Sequence, residues 1–505
     1  MYDVIIVGCG PVGATLANLL RVNGHKVAVI ERDKAVYPAP RAMVMDAEAT
    51  RLYQRMGYLP KLLEKDASPF RIHKFQKPNR DLLLKLNFDE VEDQFGQPAA
   101  GLMFHQPALE QMLRDDFAKD DCVDFLEGVE VVGIESAEDE AWVDTKNVDT
   151  GEEQRIHGRY IVGSDGGASM CRRWMKPTRM DFNYSRKWIV MDIIVQDDDV
   201  WNSFDEGSEF RCRTNASVVF VKGHHNHCRI DFECGEERAN SFTEDDAREL
   251  LKDYFDPSLA KFIRLAPYDF YAGMPDRWRV GRVLLAGDAA HQTSPFSGQG
   301  LNMGIRDAAH LGFLFDLVLK GHASDRVLDT YQGERWEHCK FVTEGASKRG
   351  RLISTKGVVT KLRDVGFGVA NSSRLVRKLL FKDMFYYPAY KGGLIVEGHK
   401  LSGHRLIQPE VTKDGETKLL DDVIGDGYVL LLPQRENNAD ALQWFTDMGG
   451  QQFVVNEDFQ DHTGKLNAFM KGAAVLVRPD RFITAAGPTG VATAEAFRLK
   501  LASYQ

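Results

Sequence analysis

Gly8-Cys9-Gly10-Pro11-Val12-Gly13 is a glycine spacing whose chemistry is anion binding by main chain. Gly8 permits a tight turn, Gly10 lets the backbone approach a pyrophosphate, and Gly13 lets a helix pack close to a strand. Unpaired N–H groups at the helix start can then hold phosphate without a cationic side chain. The spacing has this meaning only at a strand-to-helix turn. The apolar run at 3–7 and the helical stretch expected at 14–23 supply that context. A second expected strand, 26–30, ends at Glu31 and Arg32. A carboxylate at Glu31 can accept hydrogen bonds from an adenosine ribose, which fits an unphosphorylated ribose such as that of FAD or NAD.

Two further segments repeat the arrangement. Gly163-Ser164-Asp165-Gly166 follows the apolar run 159–162, where Asp165 can orient backbone and Gly166 allows close approach to a pyrophosphate. The strand expected at 281–286 then delivers Gly287-Asp288 to a loop that continues through His291, Pro295, Gly298, Gly300, Leu301 and Asn302. Asp288 can accept hydrogen bonds from ribityl hydroxyls, and Pro295 and the glycine loop are expected beside the reacting edge of a flavin ring. A helix expected at 302–319 would point its positive end at that ring, favouring negative charge there by about 1 kcal/mol. His291 is a candidate for substrate contact or proton relay. Together the three segments specify FAD rather than a dinucleotide in general.

At these residues the chain resembles the group A flavoprotein aromatic hydroxylases, single-component FAD monooxygenases with the fold of para-hydroxybenzoate hydroxylase. The resemblance spans residues 1–342 and implies FAD, with NADH or NADPH as reducing co-substrate and O2 as oxidant. It implies hydroxylation of a phenolic substrate ortho to an existing hydroxyl, through a flavin C4a-hydroperoxide. It further implies that the Gly163-to-Gly166 motif serves both FAD and the reductant. Arg41, in Pro40-Arg41-Ala42, resembles the family arginine near the pyrophosphate, and Gln106 resembles the glutamine or arginine that opens a helix beside the cofactor. The alternatives are a polyketide hydroxylase or epoxidase, another flavin oxidoreductase on this fold, and a flavin-binding scaffold without turnover.

The elements that must position these residues follow from length and patterning. A chain of 505 residues exceeds one ordinary core. The expected fold class is α/β, a Rossmann-like FAD-binding domain with an inserted β-sheet substrate domain and a C-terminal thioredoxin-like domain lacking CxxC. The FAD-binding part is expected at 1–178, with 70–100 contributing to the substrate side, and again at 268–350. Between them, 179–267 carries the strand-like runs of a substrate-facing sheet. A helical linker is expected at 351–400, including a basic helix at 375–385, before the thioredoxin-like domain at 401–505. That tail resembles the C-terminal domain of the phenol hydroxylase, 3-(3-hydroxyphenyl)propionate hydroxylase and polyketide hydroxylase branch. Arg478-Pro479-Asp480 supports the match, although Arg481 and Phe482 replace the usual following residues, and no cysteine follows Cys339. The tail is read as structural or homodimer-forming.

Composition sets the outer limits. Hydrophobic residues at 43% and charged residues at 27% are those of a soluble globular protein. A net charge of -10 disfavours nucleic acid as partner. With no signal-peptide pattern and no apolar run long enough for a bilayer, a cytoplasmic location and no membrane partner are expected. The seven cysteines are scattered and lack a CxxC pair, so neither a disulfide framework nor a redox dithiol is expected. His224-His225-Asn226-His227-Cys228 reads as a polar hairpin loop rather than a metal site, because no second ligand group has matching spacing.

Overall fold

The computed structural model describes residues 1–91, 95–212, 217–355, 357–384, 387–436 and 440–505. The fold starts from alternating strand and helix. Strand β1 (Tyr2–Val7) enters a glycine turn and the helix Pro11–Val22, then the chain returns as β2 (Val27–Glu31). The helix begins three residues earlier than its apolar pattern suggests, because Pro11 occupies its first turn, where a missing N–H costs nothing. Strands β1 and β2 pair in parallel, β2 continues to β8 (Val123–Glu127), and β11 (Glu153–Gly163) flanks β1 on its other side. Next to β11 lie β18 (Val283–Leu285) and the edge strand β17 (Arg279–Val280). Strands β9 (Val129–Ser136) and β10 (Ala141–Asn147) extend the same sheet as an antiparallel flap. Val4, Ile5, Ile6, Val27, Ala28, Val29 and Ile161 are all buried, as parallel strands covered on both faces require.

A small sheet of β3 (Val44–Met45), β4 (Ala67–Pro69) and β7 (Leu102–Phe104) links this domain to a second, seven-stranded sheet. Its order is β16-β12-β15-β14-β13-β5-β6. The strands are β5 (Ile72–Gln76), β6 (Leu82–Asn87), β12 (Arg179–Val195), β13 (Ser208–Arg211), β14 (Val218–Lys222), β15 (His227–Cys234) and β16 (Ala260–Pro275). β16 stays in this sheet to Pro275, past residue 268. One face buries Ile189, Met191, Phe220, Ile230 and Phe232 with Ala247 and Leu251 from a covering helix. The other face is turned toward the dinucleotide-binding domain.

The C-terminal part follows a hairpin of β19 (Glu410–Lys413) and β20 (Glu416–Leu419). It is a four-stranded sheet ordered β22-β21-β23-β24, built from β21 (Val429–Leu432), β22 (Gln451–Val454), β23 (Ala474–Val477) and β24 (Ile483–Gly487). β21 is parallel to β22 and antiparallel to β23, which is antiparallel to β24; helices separate β21 from β22 and β22 from β23, and another ends the chain. That is thioredoxin topology without a thiol, since no cysteine follows Cys339. Buried charge docks it: Arg478 donates to Glu334 at 2.6 Å, and Arg51 is bidentate to Asp421 at 2.6 and 2.7 Å. Between the domains, the helices Val358–Ser372 and Arg374–Met384 expose Leu362, Val365, Leu375 and Leu379, so their outer side is apolar as well as basic. Phe385 of the expected basic helix lies outside the described residues. Among the described residues no helix is long and apolar enough to cross a membrane.

Candidate active site

Strands β1, β11 and β18 end side by side, so the three glycine-bearing segments meet at one edge of the sheet. Gly8 has φ +95°, and a Cβ there would lie 2.7 Å from the Ser164 carbonyl oxygen. A Cβ on Gly13 would lie 2.1 Å from the Gly8 carbonyl oxygen and 2.6 Å from Ser164 Oγ. The first and second segments are therefore backed directly onto each other. Gly10 and Gly166 instead face open space, with no atom within 4 Å of a Cβ built on either. Val12 fills the gap between Gly287 and Gly304, locking the first helix to the helix Gln299–Leu319. Gly13→Ala is expected to lower the flavin content of purified protein several-fold, read from the ratio of visible to protein absorbance.

Two helix starts converge on this groove without capping side chains or acidic first-turn residues: Gly10 precedes the first helix and Gly298, at φ +59°, precedes the other. Their N–H groups are free for an anion and for the electron-rich edge of a ring. Carboxylates mark the groove's ends. Glu31 Oε2 accepts the Cys9 N–H at 2.7 Å and Oε1 accepts the Asp33 N–H at 2.9 Å, leaving lone pairs for ribose hydroxyls. Arg32 next to it is exposed. Asp288 is accessible, although surrounding protein raises its carboxyl above the ordinary range; the two facts together describe a side chain on the floor of a deep groove. Pro295, Gly300 and Leu301 are also accessible, and Arg41 is exposed across from them. The backbone cradle, the two uncapped helix starts and the two carboxylates fit FAD.

Several expected site residues act on the loop around Arg41. Gln106 is buried; its carbonyl accepts the N–H groups of Arg41 and Ala42 at 2.9 and 2.6 Å, and its amide donates to Glu110 at 2.6 Å. Asn302 is fully buried; its side chain accepts the Asp46 N–H at 3.0 Å and donates to the Gly298 carbonyl at 2.7 Å. Asp165 accepts the N–H groups of Met170 and Cys171, capping the short helix after β11. His291 does not reach the groove. It is fully buried with Nε2 2.6 Å from Asp307 Oδ2, and Asp307 overrides the effect of burial to hold it protonated, up to about 10.

The substrate-facing sheet expected at 179–267 forms the opposite wall, but sequence reasoning named none of the residues that line it. In β15 the residues alternate His227, Arg229, Asp231 and Glu233 with Cys228, Ile230, Phe232 and Cys234. The apolar set faces the covering helix, so the polar set lies on the dinucleotide side. Asp231 pairs across the sheet with Val219 and Val190, and Val219 with Phe210. On that face Trp188, Phe210 and Val219 pack with Phe296, the residue after Pro295; Phe296 lies 5.5 Å from Trp188 and 6.3 Å from Phe210, ring centre to ring centre. Asp231 is only 8% exposed, and among the described residues its buried Oδ1 has no hydrogen-bond partner. Burial pushes its carboxyl up to about 7. Neighbouring Arg229 and Arg264 offset burial only in part; the Arg229 guanidinium bonds to Asp192 at 2.9 Å and to the carbonyls of Arg41, at 2.8 Å, and Pro40 rather than to Asp231. Burial opposes charge on Asp192, yet His227, Arg229 and Arg264 hold its carboxyl down at about 2.

A dinucleotide groove at the carboxyl edge of a parallel sheet, faced by a separate sheet with aromatic and ionisable residues, defines a flavoprotein with its own substrate wall. Residues 1–346 match the family described as FAD binding domain, and residues 403–500 match the HcaD C-terminal domain. A probable NADH-specific resorcinol 4-hydroxylase of Rhodococcus jostii is 31% identical over 506 residues, covering 95% of this chain and 91% of its own. A 3-(3-hydroxy-phenyl)propionate/3-hydroxycinnamic acid hydroxylase of Mycolicibacterium smegmatis is 30% identical, covering 96% of this chain and 90% of its own. The chain belongs to the group A FAD-dependent aromatic hydroxylases.

Solved structures share the fold. A ternary complex of aklavinone-11 hydroxylase with FAD and aklavinone superposes with a TM-score of 0.82 at 21% identity, over 99% of each chain. The p-nitrophenol 4-monooxygenase of Pseudomonas putida superposes with a TM-score of 0.68 at 22% identity, over 76% of this chain and 97% of its own.

Proposed function

We propose that this enzyme hydroxylates a single-ring phenol ortho to an existing hydroxyl, using NADH or NADPH and O2, in the cytoplasm. The observation that carries the reading is Asp231, one proton acceptor set among Trp188, Val219 and Phe210 on the face turned to the groove. Aromatic and aliphatic walls suit a ring, and a carboxyl near neutrality suits a phenolic proton. The two relatives named for single-ring phenols, similar over nearly the whole chain, point the same way.

Bound FAD supplies acceptance of hydride from the nicotinamide and activation of O2. The chain's own residues do the rest. Gly10, Gly166 and the start of the helix Pro11–Val22 would hold the pyrophosphate, Glu31 the ribose and Asp288 the ribityl chain. Pro295 and the uncapped helix start after Gly298 would lie against the ring. The Asp231 carboxylate takes the phenolic O–H proton, leaving a phenolate whose ortho carbon is electron-rich. Phe296 with Trp188 and Phe210 keeps water from that side. By this reading 1–69, 101–178 and 276–350 serve FAD, 70–100 and 179–275 serve the substrate, and 401–505 is structural.

The test is oxidation of NADH and of NADPH by FAD-loaded enzyme with a panel of phenols, with products identified by mass. Single-ring phenols should stimulate oxidation and gain one oxygen atom. Stimulation by polycyclic polyketides alone would overturn the substrate assignment in favour of the reading that the aklavinone-11 hydroxylase fold supports.

A further inference from the structure

We propose that Asp66, His105 and His225 bind a transition-metal dication of the Zn²⁺ kind, fastening the substrate sheet to the small sheet beneath the Arg41 loop. The ligand atoms of these three residues all lie within 4.8 Å of one another. His225 Nε2 is 2.6 Å from Asp66 Oδ1, His105 Nδ1 is 3.9 Å from the same oxygen, and the two rings stand 5.0 Å apart, centre to centre. Zn²⁺ bound at about 2.0–2.2 Å to imidazole nitrogens and a carboxylate oxygen sets its ligands roughly 3.3 Å apart in a tetrahedron. The three ligand atoms, already within 4.8 Å of one another, would close around the ion to that spacing. The donor set of two imidazoles and one carboxylate selects Zn²⁺ and its neighbours over Mg²⁺ or Ca²⁺, which take oxygen.

Two observations ask for a cation at this point. Asp66 is only 3% exposed, and among the described residues its ion-pair partners are these two histidines, with no lysine or arginine. A buried carboxylate is costly unless it is paired, and these histidines carry charge only when protonated. His105 Nδ1 is buried and has no hydrogen-bond partner among the described residues. His225 and Asn226 both have positive φ, +55° and +56°, in a tight turn closed by the His227 N–H on the His224 carbonyl at 3.0 Å.

The frame is rigid. The Asp66 carbonyl accepts the His105 N–H at 2.7 Å, at the end of one helix and the start of another. Two ligands therefore share a platform, and the third arrives on the β14–β15 hairpin. The His224 ring is turned to the Met103 carbonyl at 3.2 Å, which leaves the fourth position to water. The other cluster of this kind, His291 with Asp307 and Cys339, already contains the Arg335 cation.

Holoenzyme treated with EDTA and titrated with ZnCl2 by calorimetry should take up one ion per chain, saturably. His225→Ala and His105→Ala should each weaken that uptake by about tenfold or more. His462→Ala, an exposed histidine elsewhere, should leave it unchanged. His225 is exposed on a turn, so its variant tests the site without disturbing a core. Absence of saturable one-to-one uptake, or uptake unaltered in both His225→Ala and His105→Ala, overturns the proposal.

Discussion

Asp231→Asn is expected to melt at a higher temperature than the parent enzyme at pH 8 while losing about 10²- to 10⁴-fold in substrate-stimulated hydroxylation, the range for loss of a general base. The stability side follows from linkage. Burial raises the Asp231 carboxyl from its ordinary value near 3.8 to about 7. Below pH 3.8 the group is neutral in both folded and unfolded chains. As pH climbs from there through 7, the unfolded chain releases the proton first, so stability is lost across that window. A shift of this size corresponds to about 4 kcal/mol. Asparagine is neutral throughout and escapes the loss, so the gain in melting temperature should be present at pH 8 and absent at pH 3.5. The activity side has the opposite dependence: kcat/KM should rise through pH 7 as Asp231 ionises, and the Asn variant should lose that limb. A residue that only packed the sheet would not couple a gain in stability to a loss of rate. Equal pH profiles for parent and variant would sink the assignment.

What the sequence revealed and what it hid follow one physical division. The glycine segments were legible because glycine spacing constrains the backbone within a few residues, at Gly8, Gly13 and Gly298 alike. Gln106 and Asn302 were found by position, yet their side chains grip the loop at 41–46, which is 65 and 256 residues away, so their partners could not be read locally. His291 sits in the motif beside Pro295 but faces Asp307, on the helix that runs away from the groove. Asp231 was hidden for a different reason. The alternation of β15 is plain in the sequence, but period two identifies two faces without saying that the polar one is covered. That Asp231 is buried follows from tertiary packing, which the strand pattern does not carry. The hairpin at 224–228 was likewise read without partners for its histidines, because Asp66 and His105 lie more than a hundred residues earlier.

Asp307→Ala should be the most destabilising single change near the flavin loop, by about 3–5 kcal/mol, the cost of stranding a buried charge. Asp307 Oδ1 accepts from Arg335 Nε at 2.9 Å, and Oδ2 accepts the Gly287 N–H at 2.9 Å and lies 2.6 Å from His291 Nε2. All three side chains are fully buried, and Arg335 goes on to the Tyr390 hydroxyl at 2.6 Å and the Met303 carbonyl at 2.9 Å. One carboxylate thus ties the Asp288 loop to two long helices and, through Tyr390 stacked on Phe482, to the C-terminal domain. Its removal leaves the Arg335 and His291 cations unpaired and frees the Gly287 N–H, so FAD content should fall with the melting temperature. The double variant Asp307→Leu with Arg335→Met separates the two effects. Removing both charges should restore most of the melting temperature, because His291, no longer facing Asp307, can give up its proton, while flavin content stays low because the Gly287 N–H still lacks its acceptor. The histidine gives the parent enzyme a matching pH dependence: with its folded value raised to about 10, its contribution is complete below pH 6.5 and is lost as pH rises through 10. A single variant melting within about 1 kcal/mol of the parent, or a double variant that regains full flavin, would remove Asp307 from the support of the flavin loop.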